Sequence, residues 1–144
     1  MNEWAITVTP APWHTHATQL QAIRREVFVV EQHVPEAEEW DANDVNCRHV
    51  LAWADGIAIG CGRLLSDGHI GRMAVLKPWR GRGVGNALLQ RLIALAREAG
   101  FCETRLHAQT HALGFYRRHG YTSVGGEFME AGIPHYLMVL MLRS

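Results

Sequence analysis

Two Asp-Gly pairs, Asp55-Gly56 and Asp67-Gly68, interrupt an apolar stretch that runs from Cys47 to Leu76. Such a two-residue turn joins antiparallel strands, because the positive φ it needs matches the right-handed twist of a hairpin. The stretch is therefore expected to form three consecutive antiparallel strands, the third running from His69 to Leu76 and halted at Lys77-Pro78. A meander of this kind has an apolar face that must be covered. Helical spacing supplies the cover on both sides of it. Leu20, Ile23, Val27 and Val30 predict a helix from about Ala17 that frays near Gln32, ahead of Pro35. Val84, Leu88, Leu92 and Leu95, widened by Leu89, Ile93 and Ala96, predict a second helix that stops at Gly100.

The rest of the chain reads in shorter pieces. Trp4 to Thr9 alternates as a strand, and "PEAEEWDANDVN" reads as a polar loop. Thr104 to Ala108 is a strand, followed by a short helix from Ala112 to His119 that Gly120 ends. Tyr121 to Val124 and His135 to Leu142 are the last strands, the final one so apolar that it should be internal. The order β-α-βββ-α-β-α-ββ is that of an α/β (α+β) fold, a mixed sheet with helices on its faces.

A chain of 144 residues is most simply one domain, residues 1–144, with room for a real core. Arg plus Lys balances Asp plus Glu at 14 each, so no global field favours nucleic acid or a membrane surface. The charge is nonetheless segregated: Glu31 to Asp44 is acidic, while Lys77 to Arg82 is basic. Cys47, Cys61 and Cys102 are odd in number and widely spaced, with no Cys/His zinc spacing, which points to free thiols in a reducing cytoplasm. No signal peptide is apparent at the N-terminus, and no apolar run is long enough to span a bilayer.

Between the third strand and the second long helix lies "RGRGVG", Arg80 to Gly85. A helix N-terminus exposes unpaired N–H groups and about half a positive charge, a ready anion site. Glycines let an anion approach the backbone closely, and Arg80 and Arg82 add charge-assisted donors. The combination suits a pyrophosphate. Glycines between a strand and a helix also serve as plain turn residues, and the placement of this string before an amphipathic helix weights the reading toward the anion. A P-loop would need a Lys-Ser/Thr pair after its last glycine, which is absent. A dinucleotide fold would need G-x-G-x-x-G in an early βαβ unit.

The strand "IGRMAVL", then "RGRGVG", then an amphipathic helix, resembles the acetyl-CoA-binding motif of the GNAT superfamily of N-acetyltransferases, with its R/Q-x-x-G-x-G/A signature. "LHAQTHALGFYRRHGY" resembles the superfamily's fifth strand and following helix. "REVFVVEQHVPEAEEWD", "AQTHALGFYRRHGY" and "AGIPHYLM" are similar to the ElaA-like branch of small bacterial members, so the resemblance runs essentially end to end. It implies the GNAT acyl-CoA N-acyltransferase fold, a mixed, mostly antiparallel sheet with helices on both faces. In that fold the strand before the phosphate loop and the strand after its helix splay apart.

The resemblance also implies an N-acetyltransferase that moves the acetyl group of acetyl-CoA directly to a primary amine, with no metal and no covalent enzyme intermediate. Met73, Ala74 and Val75 would then line the pantetheine, with a backbone N–H near Ala74 or Val75 polarising the thioester carbonyl. The N–H groups of Arg80, Gly81, Arg82, Gly83, Val84, Gly85 and Asn86 would hold the pyrophosphate. Gln109, Ala112 and Phe115 would complete the coenzyme A site, with Arg117 and Arg118 near its 3′-phosphate. Tyr116 matches the tyrosine that protonates the departing thiolate; Ala112, Phe115 and Tyr116 also form an i, i+3, i+4 stripe that would suit a core-facing helix.

An acceptor amine of pKa near 10.4 is protonated at pH 7, and exposing its lone pair costs about 4.6 kcal/mol. Many family members carry a glutamate on the strand before the phosphate loop for this purpose. "HIGRM" has none, which leaves Glu31, Asp41, His107 and His135 as candidate bases. Structural roles compete for each: a helix-end carboxylate for Glu31, a core residue for His107, a turn residue for His135. The acidic run Glu36 to Asp44 could attract a cationic amine by its field or could simply be solvated. The missing glutamate keeps a second reading open, a catalytically weak acyl-CoA-binding or sensor module. The acceptor's identity stays open, as does the choice between monomer and homodimer.

Overall fold

The computed structural model describes residues 5–142. Seven strands form one sheet in the order β1-β2-β3-β4-β5-β7-β6. They are β1 (Ile6–Pro10), β2 (Arg48–Ala54), β3 (Ile57–Leu64), β4 (His69–Val75), β5 (Glu103–Gln109), β6 (Thr122–Glu130) and β7 (Ile133–Met141). Every neighbouring pair is antiparallel except β4 and β5, which run parallel. The Asp-Gly turns behave as expected: Asp55 and Gly56 both adopt positive φ at the β2–β3 hairpin, and Gly68 does so before β4. β7 is internal, between β5 and β6, as its apolar density required.

Helices cover both faces. Helix α1 (Trp13–Arg24) packs Leu20 and Ile23 over Leu51, Cys61 and Ala74 on one face. Helix α3 (Val84–Glu98) packs Val84, Leu88, Leu89, Leu92 and Ala96 on the other, over Val50, Ala52, Ile59 and Leu106. Two glycines in β3 permit that close fit. A Cβ on Gly60 would meet the Ala74 carbonyl oxygen and Leu88 Cδ1 at 3.0 Å, and one on Gly62 would meet Leu92 Cδ1 at 2.7 Å. Gly100, at φ 82°, ends α3 as its position predicted.

Several elements depart from expectation. The first helix starts at Trp13, four residues before Ala17, and its last part, Arg25–Glu31, is wound as a π-helix. The polar run after it is not a plain loop, since it holds the helical turn α2 (Glu36–Glu39) and a 3-10 turn, Ala42–Val45. The helix expected from Ala112 is a 3-10 turn (Thr110–Ala112) running into α4 (Leu113–Arg118). β6 continues past Val124 to Glu130 and is joined to β7 by Ala131-Gly132, both at positive φ, so Ile133 and Pro134 are strand residues. Trp4 of the first expected strand lies outside the described residues.

Candidate active site

β4 and β5 are paired at only two positions, His69↔Arg105 and Ile70↔Leu106, and then separate. The cause lies one strand away. Arg63 pairs with Gly71 and Cys61 with Ala74, so Arg72 and Met73 together face the single residue Gly62. This is a β-bulge, with Arg72 held at φ 49°, and a bulge bends its strand out of the ladder. A cavity of about 830 Å³ fills the gap, lined by Met73, Ala74 and Val75 on one wall and by Gln109, Phe115 and Tyr116 on the other.

The ladder fixes which amide looks into the gap. Leu76 donates to the Ile59 carbonyl at 2.9 Å, and N–H directions alternate along an antiparallel strand. Ala74 therefore turns its N–H toward β3 and Val75 turns its own toward the cavity. Of the two amides expected to polarise a carbonyl, the geometry favours Val75.

At the far end of β4 the chain passes through a 3-10 turn, Lys77–Trp79, into the glycine-rich loop. Gly81 and Gly83 adopt φ values of 76° and 84°, a left-handed conformation in which glycine carries no steric cost. No side chain caps α3, and the N–H groups of residues 81–86 meet no backbone acceptor in hydrogen-bonding geometry among the described residues. Six donors are thus left without a backbone acceptor at a helix N-terminus, one residue past the cavity-lining Arg80. The Arg80 amide differs from expectation because it is already donated to Lys77 O at 3.2 Å. The Arg80 guanidinium is occupied too, donating to both Glu31 carboxylate oxygens at 2.8 and 2.9 Å and to Val75 O at 2.9 Å. Arg82 instead lies 5.3 Å from the Trp79 ring centroid. Phe115 sits against this turn: a Cβ on Gly85 would lie 3.6 Å from its ring, an ordinary contact.

Tyr116 points its hydroxyl at Met73 Sδ, 4.0 Å away across the gap, and packs edge-to-face on Phe115 and Tyr121. Burial, with some help from Tyr121, pushes its phenol up to about 12. Ala112 and Gln109 also line the cavity, and Gln109 donates to Gln32 Oε1 at 2.9 Å. Arg117 and Arg118 are exposed on α4.

The acidic run divides: Glu36, Glu38 and Asp41 are exposed, while its other carboxylates turn inward. Glu39 and Asp44 are buried, and arginines from distant elements consume them. Arg24, 1% exposed, donates to Glu39 Oε2 and Asp44 Oδ1, each at 2.8 Å. Arg63 donates to both Asp41 oxygens at 2.9 Å and to Asp44 Oδ1 at 2.8 Å, and Arg72 Nε stands 2.9 Å from Glu39 Oε2. Desolvation raises Glu39 despite these partners, whereas the hydrogen bond from Arg63 holds Asp41 below the usual carboxylate range. Asp41 is thereby a poor base, and both carboxylate oxygens of Glu31 accept from Arg80.

The histidine candidates change character. His107 is not a core residue: it is exposed on β5 and donates from Nδ1 to Glu130 Oε1 at 2.9 Å. His135 is not in a turn but buried in β7, with Nδ1 donating to Ile133 O at 2.7 Å. With His69 of β4 and Phe128 of β6 they form a ring cluster drawn from four strands, which no local pattern signals. All three histidines line the cavity.

Two of the thiols are kept protonated by their surroundings. Burial pushes Cys61 up to about 12 and Cys47 up to about 11, and all three cysteines are free. Asp44, Cys47 and His49 bring ligand atoms within 4.8 Å of one another. Two guanidinium groups already occupy Asp44, so this trio suits hydrogen bonding better than a cation. No helix among the described residues is long and apolar enough to cross a membrane.

A family model described as an acetyltransferase (GNAT) domain matches residues 14–142. The chain is 43% identical to the uncharacterized protein YyaT of Bacillus subtilis over 122 residues, 81% of this chain and 82% of that one. An acyl-CoA N-acyltransferase from Pseudomonas aeruginosa superposes with a TM-score of 0.80 at 31% identity, covering 99% of this chain and all of the other. Escherichia coli ElaA superposes with a TM-score of 0.83 at 27% identity, covering 96% of this chain and 99% of its own.

Proposed function

The chain belongs to the GNAT acetyltransferase family, and on that premise we propose that residues 1–144 form one N-acetyltransferase domain that transfers an acetyl group from acetyl-CoA to a primary amine. The observation that carries this reading is the run of six unpaired amides, residues 81–86, that follows β4 where it has parted from β5. The fit is chemical as well as spatial: N–H donors at a helix N-terminus suit a diphosphate, and a strand edge facing apolar side chains suits an amide-bearing arm. Acetyl-CoA, as co-substrate, supplies the activated acyl group.

Gly81 to Asn86 hold the phosphates by main-chain donation. Val75, with its N–H turned into the gap, donates to the carbonyl oxygen as charge builds there. Met73 and Phe115 keep water from the reacting centre. Tyr116 donates to the departing sulfur, for which the Met73 thioether is a stand-in in the present geometry. A phenol at about 12 facing a thiol near 8.5 makes complete proton transfer uphill by roughly 5 kcal/mol. The hydrogen bond itself therefore does most of the stabilising, and transfer is completed because the same burial raises the thiol.

Calorimetry with CoA, followed by CoA release from acetyl-CoA over a panel of primary amines, tests this. Wild type should bind and release. Tyr116→Phe should bind CoA as well as wild type but release it 10- to 100-fold more slowly. Binding without release for every amine would instead support the sensor reading, which the absent β4 glutamate favours. No heat at saturating CoA would refute both.

A further inference from the structure

We infer that His107 is the general base that strips the acceptor ammonium of its proton, with Glu130 as its positioning residue. The inference rests on the acetyltransferase reading and adds a residue to it. His107 is the first residue of β5 past Leu106, the last position paired to β4, so it stands at the apex of the splayed gap. The phosphate cradle lies at the opposite end of β4. An acyl group delivered along β4 from the cradle, with the Val75 N–H on its carbonyl, stops short of that apex and leaves it for the acceptor amine.

Three features favour His107 over the other candidates. Glu130 Oε1 accepts from its Nδ1, which fixes the tautomer and leaves the Nε2 lone pair available. Nε2 meets no hydrogen-bond partner among the described residues, and the side chain is 38% exposed, so a proton taken from substrate can pass to solvent. Glu39 and Asp41, which line the cavity, and Glu31 beside it are each held by an arginine, His135 has its Nδ1 committed and its ring buried, and Glu38, exposed on the cavity wall, is the carboxylate that competes with His107. His69 also carries a carboxylate on Nδ1, from Asp67 at 3.1 Å, but it lies where β4 and β5 are still paired.

The proton accounting closes. Nε2 of His107 takes one proton from the ammonium, and the freed amine attacks the carbonyl carbon as the C–S bond breaks. Sulfur leaves with the electron pair and gains a proton at Tyr116, which is refilled from the nitrogen as the amide forms. His107 returns its proton to water. The charged and titratable groups around His107 are Glu130 of β6, His135 of β7, His69 of β4 with Asp67 behind it, and Arg105 on its own strand. Glu130 is the carboxylate in direct contact, and its hydrogen bond holds the ring with Nε2 turned away from β6.

The test is the pH profile of kcat/KM with acetyl-CoA and the best acceptor among spermidine, glucosamine and a lysine tripeptide, alongside CoA calorimetry on each variant. Wild type should show an acid limb. His107→Gln should lose about 10²- to 10⁴-fold in kcat/KM together with that limb, while binding CoA as wild type does. Glu130→Gln should keep the limb and lower kcat while leaving the KM for acetyl-CoA and CoA affinity unchanged, and Glu130→Asp should recover part of the loss, a split that a purely structural role would not give. A folded, CoA-binding His107→Gln that keeps the limb overturns the assignment, as does loss of the limb in His69→Gln or Glu38→Gln instead. Wild type that fails to bind CoA, or binds it without turnover, sinks the acetyltransferase reading and this assignment with it.

Discussion

Gly83→Ala and Gly85→Ala, two residues apart in one loop, should have opposite effects on stability. Gly83 sits at φ 84° with nothing within 4 Å of where a Cβ would be. The alanine therefore meets no clash, and its whole cost is backbone strain, about 1–2 kcal/mol for a non-glycine residue in the left-handed region. The lower entropy of the unfolded alanine chain returns about 0.4–1 kcal/mol. The net is a destabilisation of about 1 kcal/mol, or roughly 3 °C in Tm for a chain of this size. Gly85 lies inside the first turn of α3, and its Cβ would make ordinary contact with Phe115 at 3.6 Å. There the alanine should stabilise by about 0.5 kcal/mol, because glycine is the poorer helix former.

Urea melts at one pH, with equal m-values, read this difference of about 1.5 kcal/mol directly. CoA calorimetry then separates fold from function. If Gly83→Ala relaxes out of the left-handed region it turns the neighbouring amides, and affinity should fall at least tenfold; Gly85→Ala should stay within threefold. Equal stability effects at the two positions, in sign and size, would refute the left-handed loop and with it the geometry of the amide cradle.

Arg24→Met removes the guanidinium that donates to Glu39 and Asp44 in the core; urea melts should show a loss of about 3–5 kcal/mol, and a loss below 1 would mean Arg63 and Arg72 suffice alone. Tyr116 and Tyr121 are both pushed up to about 12 by burial, above the value near 10 expected of an unfolded chain. Their contribution to stability is intact below pH 10 and is lost as pH climbs toward 12, so denaturation at pH 7 and pH 11 should reveal an alkaline decline. Tyr121→Phe leaves the buried Thr104 hydroxyl without its 2.6 Å partner, costing about 1–3 kcal/mol at pH 7. The same variant should decline less at pH 11, since it buries one phenol fewer.

What could be read from the chain were features carried by neighbours in sequence. The Asp-Gly turns announced the meander, the Val84–Ala96 stripe announced α3, and the apolar run near the C-terminus announced an internal strand. What could not be read depended on distant partners. Glu39 and Asp44 look solvated until Arg24, Arg63 and Arg72 fold onto them from three other elements. The bulge at Arg72-Met73 is a mismatch between two strands and has no signature in either alone. β6 runs on past Val124 through Gly125-Gly126, and its pairing with β7 resumes at Phe128 after a register shift that only the partner strand reveals. His107 and Glu130, 23 residues apart, meet only because β7 lies between their strands.

The segment Arg25–Glu31 closes hydrogen bonds five residues back, as Gln32 N–H to Val27 O at 3.2 Å illustrates. Winding of that kind holds more residues per turn than α1 before it, so all that follows comes out of phase with the earlier part of the helix. Glu31 and Gln32 owe their headings to this phase slip. One meets Arg80 at the end of β4 and the other meets Gln109 at the end of β5, so a single helix end is moored to both banks of the cleft. Rewinding the same residues at the α pitch, with none removed, would swing both side chains by roughly 100°. Arg80 would then lose its counter-charge, and the cleft would lose its crosspiece.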